Sequence, residues 1–190
     1  MYGAFFYREF LKIILGGLVF FYYLKELKLS DYVAIIGAML FSYCGFMIVG
    51  SGWYIFAFEA FNMALMLLAF EQLFSSNKWQ LFVLAIFLVC ISQPFNLFIY
   101  GVFLLFYMAL RHFQTGNFTA KNIGLILGKM IGLGLLAMLI SAPFLIENCV
   151  QLLESPRGGG VNSYANLFSN APMFAVTEIT ELGTSVMRFF

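Results

Sequence analysis

Residues 79–110 are a run of 32 residues without a charged side chain, and Gln93-Pro94 sits near the middle. Lipid offers a backbone no hydrogen bonds, so a chain inside it must pair its own amides, as a helix does. As one helix this run would measure about 48 Å at 1.5 Å per residue. A bilayer core is only about 30 Å thick. Proline removes an amide donor and disfavours helical geometry in the residue before it. The spacing therefore predicts two short helices, about 79–91 and 95–110, that double back at residues 92–94.

The charges support that hairpin. Loops on the cytoplasmic side of a membrane are enriched in Lys and Arg. With a hairpin, Lys25, Lys28, Lys78, Arg111 and Lys121 share one side, while residues 50–52 and 92–94, without Lys or Arg, share the other. A single crossing would instead move Arg111 and Lys121 to the uncharged side.

Composition extends the argument to the whole chain. Of its 190 residues, 63% are hydrophobic and 10% are charged, against about 25% charged in a soluble domain. Four further apolar runs, about 10–24, 32–50, 53–70 and 123–146, complete six expected crossings. The fold class is all-α, a polytopic transmembrane bundle over residues 1–146 with one pair of short helices. Residues 147–190 read as an interfacial amphipathic helix followed by the start of an extracytoplasmic segment. Both ends then lie outside, an awkward beginning that leads us to expect a fragment of a longer chain. The N-terminus lacks the pattern of a removable signal peptide. Lys12 and Lys129, near the ends of spans, have stems long enough to snorkel to water. Gly124, Gly128 and Gly132 recur every four residues and predict a ridge for close helix packing. Pro143 predicts a kink beyond it.

Few residues offer chemistry. A net charge of +1 provides no field for nucleic acid. Cys44, Cys90 and Cys149 are widely spaced and read as small apolar side chains. Dinucleotide, P-loop, hydrolase and zinc-protease motifs are absent, so the sequence points to no cofactor and no metal. His112, the single histidine, has no partners at triad or metal-ligand spacing. Glu59 lies within the third expected span, with Asn62 three residues on and on the same side. An ionisable group inside a membrane is costly and marks a site by default, so Glu59 and Asn62 suggest either an outward-facing polar pocket or an interhelical hydrogen bond. Arg157 follows the amphipathic segment in the Gly-rich loop Ser155-Pro156-Arg157-Gly158-Gly159-Gly160. A guanidinium with close backbone approach suits a phosphate, and equally suits a lipid headgroup.

Several segments taken in order resemble one family. They are Tyr22-Tyr23-Leu24-Lys25-Glu26-Leu27-Lys28-Leu29-Ser30, then Gly37-Ala38-Met39-Leu40-Phe41-Ser42-Tyr43-Cys44-Gly45-Phe46-Met47. The turn at Glu71, Lys78-Trp79, the broken run to Tyr107 and Ser155-Pro156-Arg157 follow. Over about residues 10–160 the chain resembles the YfhO-like family of bacterial membrane proteins. The resemblance implies a GT-C-like architecture in the bacterial inner (cytoplasmic) membrane, multi-pass. It implies a glycosyltransferase that moves a sugar from a polyprenyl-phosphate donor to a cell-envelope polymer or lipid on the outer face. The implied partners are the lipid bilayer, the lipid-linked sugar donor and other transmembrane helices of the full-length protein. Substrate-binding roles then fall to Arg157, Glu59 and Asn62. Enzymes of this type carry an essential carboxylate in a long first outer loop, and no such loop precedes Phe10. No catalytic residue can therefore be carried over. A transporter or channel portion, or a non-catalytic assembly subunit, are the competing functions. A second broken hairpin elsewhere would mark a transporter, and a preceding span with an acidic outer loop would mark the transferase.

Overall fold

The computed structural model describes residues 2–50, 56–116 and 120–154. Arg157 lies outside these residues, as does the segment after it. The chain divides into two compact units, Met1–Leu145 and Ile146–Phe190. Within the described residues the regular structure of the first unit is all helix. Its helices are α1 (Tyr2–Glu26), α2 (Asp31–Ser42), α3 (Gly45–Gly50), α4 (Phe56–Ser76), α5 (Gln80–Ser92), α6 (Pro94–Thr115) and α7 (Ala120–Ile140). A further helix, α8 (Ala142–Glu154), begins in the first unit and enters the second. This is the expected all-α bundle. Three segments, Phe56–Ser76, Pro94–Thr115 and Lys121–Ile140, are long and apolar enough to cross a membrane, while α2 and α5 are shorter apolar helices.

The break at residues 92–94 occurs as proline chemistry requires. Gln93 is extended (φ −149°, ψ 90°) between α5 and α6. Pro94 occupies the first turn of α6, where its missing amide would have had no intrahelical partner. Of the expected short pair, only α5 is short. The next helix runs on to Thr115, because Arg111 and His112 are anchored sideways against α4 rather than released into a loop.

Side-chain contacts give the directions of the helices. Glu26 at the end of α1 accepts from Ser75 at the end of α4 (2.6 Å). Asn96 early in α6 donates to Glu59 early in α4 (3.0 Å), and Arg111 late in α6 donates to Glu71 late in α4 (2.9 Å). Helices α1, α4 and α6 therefore run the same way. Asn62 early in α4 meets Ser92 at the end of α5 (3.2 Å), so α5 runs the opposite way. All three parallel helices stop at one end with a residue in the left-handed region: Lys28 (φ 61°), Asn77 (φ 54°) and Gly116 (φ 70°). After α1 and α4 the chain folds back, with Leu29 N–H bonding Leu24 C=O (3.3 Å) and Lys78 N–H bonding Gln72 C=O (3.1 Å). Lys25 pairs with Asp31 across the first of these turns. We refer to this as the charged end.

The core lies among α4, α5, α6 and α7. Phe70, Phe82, Val89 and Cys90 are fully buried there, with Met66, Leu104 and Met108 nearly so. Cys90 thus behaves as a small apolar residue. Outside the core the surface is apolar: Phe106 is 74% exposed and Leu139 73%. A water-soluble fold could not tolerate such a surface.

Three expectations of extent change. Helix α1 begins at Tyr2 rather than near residue 10, because Glu9 is buried and pairs along the helix with Arg8 (2.9 Å) and Lys12 (2.9 Å). Residues 32–50 are not one helix. They break at Tyr43-Cys44, and α3 turns Met47 onto α1, where a Cβ on Gly16 would come within 2.9 Å of its Cε. Next to it, a Cβ on Gly17 would collide with Ser42 Oγ, so the glycine is what lets α1 and α2 approach so closely. Helix α7 ends at Ile140, not near 146. Ser141 turns its hydroxyl back onto Ala137 C=O (2.9 Å), and Pro143 falls in the first turn of α8 instead of kinking a longer span.

The glycine ridge does not pack as expected. Among the described residues, Cβ atoms built on Gly124, Gly128 and Gly132 would meet nothing within 4 Å, whereas one on Gly134 would sit 3.8 Å from Ile86 Cδ1. Four-residue periodicity identifies a face but not what lies against it. Helix α7 turns its Gly134 face to α5 and leaves the ridge open. Gly134→Leu should therefore lower the melting temperature in detergent, while Gly128→Leu leaves it near the parental value. Equal melting would remove α7 from this packing.

The helix directions also predict labelling. In a cysteine-free background, Ser76→Cys and Thr115→Cys should react with an impermeant thiol reagent from the same side of the membrane, and Ser92→Cys from the other. Labelling of positions 92 and 115 from one side would contradict the antiparallel α5–α6 hairpin.

Candidate functional site

Two polar clusters lie at opposite ends of the first unit. The first sits opposite the charged end, at the end where α1 carries Arg8, Glu9 and Lys12, and is organised by the break before α6. Half-buried Glu59 accepts from Asn96 Nδ2 through Oε1 (3.0 Å), and its backbone carbonyl accepts from Tyr100 Oη (3.2 Å). Asn96 also donates to Gln93 Oε1 (3.2 Å). Asn62 is 2% exposed and donates through Nδ2 to Ser92 Oγ, while its Oδ1 is buried without a partner among the described residues. Glu59 and Asn62 thus attach α4 to the two sides of one break, Glu59 to α6 and Asn62 to α5.

Glu59 also borders a cavity of about 380 Å³. Its other walls include Phe41, Phe46, Tyr100 and Phe103, with Met63 and Ile99. The pocket and interhelical-bond readings of Glu59 therefore hold together: one carboxylate oxygen ties α4 to α6, and the group lines the space beside them. Asn62 does not border that cavity, and its bond to Ser92 points it to the hairpin break.

The second cluster is at the charged end, around a carboxylate with no exposure at all. Glu71 receives Arg111 Nη2 on Oε2 (2.9 Å), and Arg111 Nε lies 2.7 Å from Oε1. Tyr107 Oη donates to the same Oε1 (2.6 Å). Since that uses its one proton, the 2.9 Å contact between Tyr23 and Tyr107 hydroxyls must have Tyr23 as donor. Arg111 is completed by Gln114 Oε1 (2.9 Å) and by the face of Phe74 (5.7 Å to the ring centre). A guanidinium seated on a carboxylate in this way gives a charge-assisted contact stronger than a neutral hydrogen bond.

The family model described as "Bacterial membrane protein YfhO" matches residues 1–185. The chain belongs to the YfhO family. No curated protein and no solved structure matches it. What is established for this YfhO chain is accordingly a bacterial membrane protein with an all-α bundle in a lipid environment.

Sequence reading placed Glu71 in a polar turn and missed its role in this YfhO chain. Helix α4 continues for five residues past Glu71, to Ser76, which makes it a core residue. A signal was present along α6. Gln93, Asn96, Tyr100, Tyr107 and Arg111 follow at helical spacing on one face of an otherwise apolar segment. Such a stripe calls for a polar partner on the facing helix, and Glu59 and Glu71 on α4 supply it. Lys129, read as snorkelling, reaches the charged end and donates there to the exposed Asn77 Oδ1 (2.7 Å).

Removing Arg111 would leave the Glu71 charge buried and unpaired. Arg111→Ala should destabilise the first unit by about 3–5 kcal/mol. Adding Glu71→Gln should recover most of the loss, since the amide carries no charge and still accepts from Tyr107. Thermal unfolding in one detergent checks both. Equal melting of Arg111→Ala and the parent would contradict the ion pair.

Proposed function

We propose that this chain is part of a membrane glycosyltransferase that moves a sugar from a polyprenyl-phosphate donor to a cell-envelope polymer or lipid on the outer face. The observation that carries the reading is the Glu59 carboxylate at the edge of an aromatic-walled cavity. A pyranose presents hydroxyl donors at its rim and C–H bonds on its faces. Carboxylate oxygens accept the former, and aromatic rings pack against the latter. Asn96 holds Glu59 by one oxygen, which leaves acceptor capacity for a sugar hydroxyl.

The same carboxylate repels phosphate, so the donor's phosphate needs a different ligand. Arg157 is our candidate, by its chemistry and its Gly-rich surroundings in sequence. A charge-assisted contact to a phosphate strengthens as the group leaves and gains charge, which lowers the barrier. Asn62 serves through Ser92, holding the hairpin break that presents Asn96 and Tyr100. We place the chain in the bacterial cytoplasmic membrane, and the lysine and arginine asymmetry supports an orientation with the cavity end outward. Membership of the YfhO family supports the membrane setting.

Transfer from a lipid-linked sugar donor, measured in the full-length protein beside an expression control, tests the reading. Glu59→Gln keeps the bond from Asn96 but removes the charge. It should reduce transfer by about 10- to 100-fold, the effect of losing a charged hydrogen bond of about 1.5–3 kcal/mol. Arg157→Ala should reduce transfer strongly, and Arg157→Lys should restore only part, because a point charge cannot replace a bidentate fork. Parental turnover in Glu59→Gln would remove the cavity from the mechanism, and parental turnover in Arg157→Ala would make that residue a headgroup anchor.

A further inference from the structure

At the charged end, away from the Glu59 cavity, His112 packs its ring against α4, but its two nitrogens take no part in anything described so far. It is 2% exposed, and neither ring nitrogen has a hydrogen-bond partner among the described residues. Its ring lies edge-on to Phe74, 5.2 Å between centres. A neutral imidazole carries one N–H donor and one lone-pair acceptor. Burying both unpaired is costly, so a group in that position calls for an explanation.

Beside it is a crevice of about 190 Å³ lined by His112, Phe74, Asn122, Leu125 and Ile126, contributed by α4, α6 and α7. Three observations constrain an occupant. Asn122 and Leu125 are exposed, so the crevice opens outward between α6 and α7. Phe74, Leu125 and Ile126 are apolar, so the occupant has an apolar part. His112 precedes Gly116 by four residues, about 6 Å of helix rise, and Gly116 ends α6 at the level where Lys28 and Asn77 end α1 and α4. That is headgroup depth. We infer that the His112–Asn122 crevice binds the phosphate-bearing headgroup of an anionic, hydroxylated membrane lipid.

The polar chemistry fits that class. A phosphodiester oxygen accepts from the imidazole N–H or from the Asn122 amide, and a headgroup hydroxyl donates to the imidazole lone pair. Phosphatidylglycerol offers both. The counter-charge does not come from Arg111, whose guanidinium is committed to Glu71. Lys121 is exposed, adjoins Asn122 and supplies the attraction to an anionic headgroup. Inorganic phosphate shares the anionic chemistry but leaves the apolar walls unfilled.

His112 is the one histidine of the sequence, so ring-nitrogen labelling of the untagged chain in detergent gives a single imidazole reporter. Titrating phosphatidylglycerol into the protein should shift the ring-nitrogen signals, while phosphatidylcholine and inorganic phosphate should not. Native mass spectrometry should show phosphatidylglycerol retained by the parent. Retention should fall about fivefold in His112→Phe, the loss of a hydrogen bond worth about 1 kcal/mol. His112→Gln, which still donates and accepts, should retain an intermediate amount. Should His112→Phe melt early, Asn122→Ala at an exposed position carries the same test and should also lose retention. Equal shifts with both lipids, or a shift with phosphate alone, would overturn the lipid assignment. An unmoved imidazole with undiminished retention in both His112→Phe and Asn122→Ala would place the lipid elsewhere and leave only water beside His112.

Discussion

The Glu71 carboxylate is wholly buried, and it holds Arg111 and Tyr107 of α6 while Tyr107 in turn holds Tyr23 of α1. A buried ion pair contributes little net stability, because the desolvation of both charges offsets their attraction. Separating the pair is the expensive event. Sliding α4 against α6 among apolar side chains and lipid would strip Glu71 of these partners, so the pair favours this register over other apolar ones. Glu59 lies twelve residues before Glu71 on the same helix, about 18 Å away along the axis. Once Arg111 is seated on Glu71, Asn96 and Tyr100 are carried to the level of Glu59.

The hairpin break depends on that register and also explains its polar neighbours. Helix α5 has 13 residues, about 20 Å, and ends short of a bilayer's depth. Backbone groups freed there need partners. Gln93 N–H reaches Val89 C=O (2.9 Å), Asn96 N–H reaches Gln93 C=O (3.0 Å), and Ser92 Oγ bonds Val89 C=O (3.3 Å). Asn62 braces Ser92 from α4, and Asn96 braces Glu59. The residues that repair the break are therefore the ones that bring a carboxylate to the aromatic cavity. In the proposed transferase, structural repair and sugar recognition draw on one set of side chains.

The two ends differ in how their polar groups are satisfied. At the Glu71 cluster each carboxylate oxygen has a hydrogen-bond partner, and Arg111 bonds through both terminal nitrogens while its Nε, 2.7 Å from Oε1, makes no aligned hydrogen bond. The Glu59 cluster retains free acceptor capacity beside a cavity, and among the described residues His112 retains an unpaired donor and acceptor beside a crevice. Closed networks specify structure, and open ones are where ligands add hydrogen bonds without breaking others. On this ground we assign Glu71 to architecture, and Glu59 and His112 to recognition.

Local chemistry made much of this readable in advance. Long uncharged runs dictate lipid as solvent, lipid dictates helices, and Pro94 dictates the break at residues 92–94. Each step depends on neighbours in sequence alone. Glu59 was legible as a costly intramembrane charge. Glu71 was not, because a carboxylate beside a polar stretch looks like a helix end until a guanidinium 40 residues later is seen to bury it. The glycine ridge on α7 failed for a related reason: lipid chains and protein cores are equally apolar, so hydropathy cannot say which face of a membrane helix meets a neighbour. The sequence by itself determined the solvent, the helical class and the position of the break. Only the tertiary structure decided which polar side chains meet across α4 and α6, which face of α7 packs, and which buried donors and acceptors remain open, because these depend on distances between residues far apart in the chain.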